Sequence, residues 1–262
     1  MVRSSIASPK RTSGITLRDA RELSLMREAG RIVAKAHEAL RAYVQPGVST
    51  AELDDIARDV IYSNGAKPTF LGYFGFPASI CTSINEEIVH GIPNPHVILA
   101  EGDIISIDVG ATYKGWVGDS GWTYPVGEIS PTAQSLLEVT EGALWAGIEM
   151  ARAGNRLGDI SSAVQVYVES RSFSVVREFT GHGVGREMHE SPEVLNYGDP
   201  GTGLRLRRGM TLALEPMVSV GHWMTTTDAD GWTVLTQDGT LSAHFEHSIA
   251  VMDGEPRILT LL

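Results

Sequence analysis

Displaced by 107 residues, this sequence lies over itself. Gly47 falls on Gly154, Leu53 on Ile160, Gly102 on Gly209 and Asp108 on Glu215, and "GDIISID" covers "GMTLALE". Few of these positions are identical, so the order of elements around them carries most of the case for a duplication. From Leu17 the apolar residues Leu23, Met26, Ala29, Val33, Ala36 and Leu40 recur at three- and four-residue steps, which predicts an amphipathic helix closing near Pro46. Ser49 stands three residues before Glu52, a capping-box pair that opens a second helix ending at Gly65. "GDIISIDVG" and "GWVGDSGWTYPVG" then read as strands joined by "ATYK", a hairpin. The second half restarts at Ser130-Pro131 with a long helix, continues through a helix in "LGDISSAVQVYVESRS", and returns to strand. Duplicated helix-helix-strand-strand halves predict an α/β (α+β) domain whose sheets pack together with helices outside. Any site between the halves draws residues from both.

Acids interrupt the apolar strands. Asp108 sits in "IISIDVG" and Asp119 follows eleven residues on, so a turn about Tyr113 and Lys114 sets the two carboxylates face to face across the hairpin. Opposed side chains have Cβ atoms about 4.5–5.5 Å apart, and like charges there destabilise unless a cation lies between them. A solvated pair on an exposed hairpin is the alternative. Glu215 in "TLALEPMVSV" and Glu246 in "HFEHSIAVMD" add carboxylates in segments that read as mostly buried strand, with few lysines or arginines nearby. A buried unpaired carboxylate costs several kcal/mol or takes up a proton, so four in apolar strands predict pairing or metal coordination. With one histidine they offset the charge of two divalent ions, the arrangement of a dinuclear hydrolase.

In "FTGHGVGREMHESPEV", His182 and His189 are seven residues apart, one face of a helix if the segment were helical. Gly181, Gly183 and Gly185 each cost about 1 kcal/mol in a helix interior, so strand and loop are expected, with the backbone held close to something. The two histidines are then free to do different jobs. His244 and His247 flank Glu246 and either orient it through hydrogen bonds or are ordinary strand residues; His37, His96 and His222 have no such context and are read as structural.

A net charge of -11 speaks against nucleic-acid binding, which needs clustered Lys and Arg. The single cysteine, Cys81, excludes an internal disulfide and a multi-cysteine zinc site. With no apolar run long enough to span a membrane and no secretory-type leader, a cytoplasmic protein without membrane association is expected. Residues 1–16, rich in Ser, Arg and Lys, are expected to form a flexible tail ahead of one domain over residues 17–262.

Six segments, "SINEEIVHGIP", "GDIISIDVGATYKGWVGDSGWTYPVG", "FTGHGVGREMHESPEV", "GMTLALEPM", "DGWTV" and "LSAHFEHSIAV", resemble in order and approximate spacing those of type I methionine aminopeptidases, over roughly residues 17–258. The resemblance implies the pita-bread fold, two pseudo-two-fold-related halves with a dinuclear metal centre between them. It implies two divalent ions (Co, Mn, Fe or Zn) held by Asp108, Asp119, His182, Glu215 and Glu246, and removal of the initiator methionine by metal-activated hydroxide attack. Glu215 is implied to be proton shuttle as well as ligand. His189 would help hold the scissile peptide and its oxyanion, and His90 would assist at the leaving nitrogen. Tyr73, Phe76, Cys81 and Trp232 match the pocket-lining region, although Phe76 and Met188 replace the Tyr and Phe of many bacterial relatives. The implied partners are N-terminal segments of nascent proteins with a small second residue, with ribosome proximity and a monomeric state. Proline-specific pita-bread peptidases share the five-ligand pattern but usually add an N-terminal domain, and non-enzymatic relatives have lost ligands that this sequence retains.

Overall fold

Each helix begins where its sequence caps it. The structure, a computed structural model, describes residues 14–262; most of the expected tail lies outside the described residues. Helix α1 (Ala20–Tyr43) opens on a capping box in which the Asp19 carboxylate accepts from the Glu22 amide at 2.8 Å while Glu22 accepts from the Asp19 amide at 2.9 Å. Helix α2 (Thr50–Ser63) opens on the expected Ser49–Glu52 box, a feature whose loss costs about 1 kcal/mol. Short β1 (Lys67–Pro68), β2 (Ile80–Ile84) and β3 (Glu87–Val89) precede the long hairpin β4 (Ile104–Tyr113) and β5 (Trp116–Pro125). The second half runs α3 (Pro131–Met150), α4 (Leu157–Glu169), β6 (Ser174–Val175), β7 (Gly181–Gly183), β8 (Glu190–Val194), β9 (Thr211–Leu214) and β10 (Met217–Ser219). It closes with β11 (Thr225–Thr227), β12 (Val234–Thr236), β13 (Ser242–His244), β14 (His247–Ala250) and β15 (Arg257–Ile258).

Pairing registers make the duplication explicit. Lys67 and Pro68 of β1 pair with Thr112 and Ala111 of β4, and Ser174 and Val175 of β6 pair with Ser219 and Val218 of β10, the same register displaced by 107. Gly47 and Gly154 share positive φ (93° and 103°), as do Gly102 and Gly209 (93° and 89°). Strand β4 is one ten-residue strand, whereas its counterpart is split into β9 and β10 at Glu215-Pro216, where proline has no N–H for a ladder. Along β5 and its counterparts β13 and β14 the displacement grows to 125, because β11 and β12 are inserted between β10 and β13. Each lobe buries its own apolar layer: Leu40, Leu53, Ile61, Ile105 and Ile107 in the first, Leu136, Ile160, Leu212, Val218 and Ile249 in the second. Each such side chain stabilises by roughly 1.5–3 kcal/mol.

Two expectations are corrected. Lys114 and Gly115, not Tyr113 and Lys114, form the hairpin turn; both have positive φ (50° and 76°), as a two-residue type I′ turn requires. Asp108 is therefore opposite Gly121 and Asp119 opposite Gly110, so the two acids are diagonal neighbours on one face. Glu215 and Glu246 do not lie within strands but at the breaks between β9 and β10 and between β13 and β14. Glu246 leaves its ladder because its amide donates to the Gly121 carbonyl of the other lobe at 2.7 Å.

Hydroxyls stitch the lobes beside these breaks. Ser120 Oγ donates to the Glu246 carbonyl at 2.6 Å, Thr123 Oγ1 to the His244 carbonyl at 2.7 Å, and Ser248 Oγ to the Asp119 carbonyl at 2.8 Å. No helix among the described residues is long and apolar enough to cross a membrane.

Candidate metal centre and substrate cavity

The seam brings the acids of both lobes to one point. Asp119 from β5, His182 from β7 and Glu246 after β13 each offer a ligand atom, all within 4.8 Å of one another, and all three residues are buried. His182 lies between two glycines for a steric reason: a Cβ on residue 181 would come within 2.4 Å of the Ala213 carbonyl, and one on residue 183 within 2.4 Å of the Ser191 carbonyl. Nδ1 of His182 is 2.9 Å from the Gly183 carbonyl, which can only accept. That ring nitrogen therefore carries the proton, leaving the Nε2 lone pair free. Nε2 faces Glu215 Oε1 at 3.4 Å and Asp119 Oδ2 at 3.6 Å.

Carboxylates this close repel. Burial pushes Asp119 up to about 7, and burial followed by the charge of Asp119 raises Asp108, Glu215 and Glu246 well above the ordinary carboxylate range. Burial lowers His182 to about 3, so its imidazole is neutral at physiological pH. Among the described residues no lysine or arginine pairs with these four acids. Buried Oδ1 atoms of Asp108 and Asp119 and Oε1 of Glu246 have no hydrogen-bond partner. Orphaned carboxylate oxygens, a neutral imidazole with a free lone pair and no organic cation fit a site built for divalent ions.

A cavity of about 1560 Å³ opens over these residues. His90 and His189 border it, the former with left-handed φ of 64° immediately after β3. Burial, then the charge of His189, lowers His90 to about 4. The His189 ring lies 4.3 Å from the His182 ring, and its Nδ1 is 2.8 Å from the Tyr73 hydroxyl. His182 thus faces the acids while His189 faces the cavity.

The family model of metallopeptidase family M24 matches residues 24–253. The chain belongs to metallopeptidase family M24. This M24 chain is 56% identical over 240 residues to methionine aminopeptidase 1 of Bacillus subtilis (strain 168), spanning 92% of this chain and 96% of that one. It is 53% identical to the methionine aminopeptidase of Clostridium acetobutylicum, spanning 94% and 99%. The crystal structure of the methionine aminopeptidase from Thermotoga maritima superposes with a TM-score of 0.94 at 44% identity, covering 95% of this chain and all 100% of that one. The pita-bread architecture expected from the sequence is the one found.

In the M24 cavity the expected pocket residues stand together. Phe76 packs edge-on against Trp232 with ring centroids 5.2 Å apart, Tyr73 and Cys81 join the lining, and Cys81 is paired directly with Asp108 between β2 and β4. Trp232 reaches the cavity on the β11–β12 insertion, so the element that breaks the repeat supplies a wall of the pocket. Residues 14–16, assigned to the tail from sequence, also line the cavity. His247 turns away, its Nδ1 2.8 Å from Thr260 Oγ1. His244 Nε2 instead lies buried, without a hydrogen bond, 3.9 Å from both Glu215 Oε2 and Glu246 Oε2. Phe179, whose ring packs edge-on at 5.7 Å from His90, was not singled out from the sequence.

Proposed function

We propose that this M24 chain removes N-terminal methionine from peptides and nascent proteins with a small second residue. The observation that carries the reading is the meeting of Asp119, His182 and Glu246 from both lobes, within 4.8 Å of one another, at the floor of an apolar-walled cavity. With Asp108 and Glu215 they form a five-residue set suited to two divalent ions of the Mn, Fe, Co or Zn type. Such ions, when bound, supply a water acidified toward neutral pH and a Lewis acid for the scissile carbonyl.

The side chains of this chain do the rest. Glu215, whose carboxyl burial and then the charges of Asp119 and Asp108 raise above the ordinary carboxylate range, takes a proton from the attacking water and passes it on toward the leaving amine. His189, steadied by Tyr73, donates to the developing oxyanion, a contribution whose loss typically costs about 10²–10³ in kcat. His90, backed by Phe179, hydrogen-bonds near the scissile nitrogen. Phe76, Trp232 and Cys81 wall an apolar slot that an unbranched thioether fills. On this reading the enzyme works in the cytoplasm, near ribosomes, as a monomer.

The test is incubation of Met-Ala-Ser and Ala-Pro with the protein and each of several divalent ions. Free methionine from the first peptide is the expected product. Release of proline without methionine, or no turnover with any ion, overturns the reading.

A further inference from the structure

The loop that bears His189 is fastened by a residue ahead of the first helix. Arg18 donates its backbone N–H to the Gly209 carbonyl at 2.7 Å, and its side chain, only 6% exposed, forms an ion pair through Nη2 with Glu190 Oε2. The other oxygen of Glu190 accepts from the backbone amides of Arg186 at 2.9 Å and Glu187 at 3.3 Å. One carboxylate therefore closes the turn 186–190 on itself and ties it to Arg18, and His189 is the residue immediately before that carboxylate. The Arg18 guanidinium lies 5.1 Å over the Trp116 ring, and Arg186 lies 4.4 Å over the same ring. Gly185 makes room: a Cβ there would stand 2.1 Å from Arg18 Nη2 and 2.6 Å from Glu190 Oε1.

A buried ion pair is a poor source of stability compared with apolar packing, and its best-attested use is to fix one arrangement among several. Here the arrangement fixed is that of a loop lining the cavity. We propose that Arg18 is a positioning residue that holds the His189 imidazole in its working place through Glu190. The inference rests on the reading of His189 as the oxyanion donor. A guanidinium is suited to this task because its planar fork can hold a carboxylate and stack on an indole at once, which an ammonium does less well.

The test compares wild type, Arg18→Lys, Arg18→Met, His189→Ala and the Arg18→Met/His189→Ala double variant, each ion-loaded, on Met-Ala-Ser. Arg18→Met is expected to lower kcat about ten- to a hundredfold with KM held within about twofold, and Arg18→Lys to recover part of the loss. On the His189→Ala background Arg18→Met is expected to add nothing. Unchanged kcat, or the same loss on both backgrounds, overturns the proposal. A second readout needs no ion and no turnover: the His189 ring cross-peaks in the NMR spectrum of the metal-free protein, identified by their loss in His189→Ala, are expected to move in both Arg18 variants. Unmoved peaks also overturn it. Should Arg18→Met not fold, Arg18→Lys and Glu190→Gln carry the same comparisons. A wild-type protein that releases no methionine defeats the functional reading, and the spectra still decide on Arg18.

Discussion

Glu215 and Glu246 occupy matching positions in the gap of the second lobe's ladder, between the Leu214–His247 pair on one side and the Met217–His244 pair on the other. The equivalent pair in the first lobe is Asp108 and Gly121. By the same correspondence, His244 occupies the place that Asp119 holds in the first lobe. The repeat is thus symmetric in backbone and unequal in charge, and the inequality makes room for the His244 ring.

That ring sits on Gly121. A Cβ at residue 121 would stand 2.6 Å from His244 Cε1 and 2.8 Å from Nδ1. Gly121→Ala is expected to push the imidazole toward Glu215 and Glu246 and weaken ion binding about 10–100-fold, the range for disturbed outer partners of metal ligands. Isothermal titration with Mn or Co checks it; unchanged affinity in a folded variant refutes the packing account.

Stability of the metal-free protein should fall as pH rises. The folded state holds Asp119 up at about 7, and Asp108, Glu215 and Glu246 are raised well above normal, while the unfolded chain releases these protons near the ordinary value of about 4. The folded protein binds more protons across that window, so this contribution is present below about pH 4 and is lost on passing upward through 7. His37 works in the opposite sense, burial lowering it to about 4, so its contribution is lost as pH falls from about 6.5, with or without ions. Saturating divalent ion should therefore raise Tm more at about pH 8 than at about pH 5, read by calorimetry against a chelator control. A pH-independent gain would contradict this.

Asp108→Asn separates stability from function. Replacing one of four crowded, buried acids by a neutral amide should stabilise the metal-free protein by about 1–2 kcal/mol at alkaline pH while abolishing tight ion uptake. Urea midpoints and elemental analysis report the two effects; a destabilised metal-free variant would show that the acids are not in conflict.

Cys81 should resist alkylation. Its thiol is buried, and burial followed by the charge of Asp108 raises it well above its ordinary value, so little thiolate exists near neutrality. Native protein is expected to react with iodoacetamide at least about 100-fold more slowly than the urea-unfolded chain. Comparable rates would place Cys81 outside the pocket wall.

The legible parts of the fold are those written in local contacts. Ser49 and Glu52 announce a helix because a cap joins residues three apart, and Gly181 and Gly183 reject a helix around His182 through their own backbones. The hairpin register is one step less legible, since it turns on Lys114 adopting positive φ, which lysine does not advertise. Glu215 and Glu246 read as acids in apolar strands, but the breaks that free them arise from Pro216 and from a hydrogen bond to the opposite lobe. Arg18 and Glu190, 172 residues apart, leave no local signature at all. Among the flanking histidines, His244 and His247 are distinguished only by which side of the break each occupies.

Ser120 and Ser248 stitch the lobes one and two residues from Asp119 and Glu246, so no hinge can open between the halves without dragging the acids apart. Substrate reaches the centre past rim side chains such as Trp232, over a foundation tied across the seam. In an enzyme of this build, the spacing of the centre and the closure of the two halves are one and the same constraint.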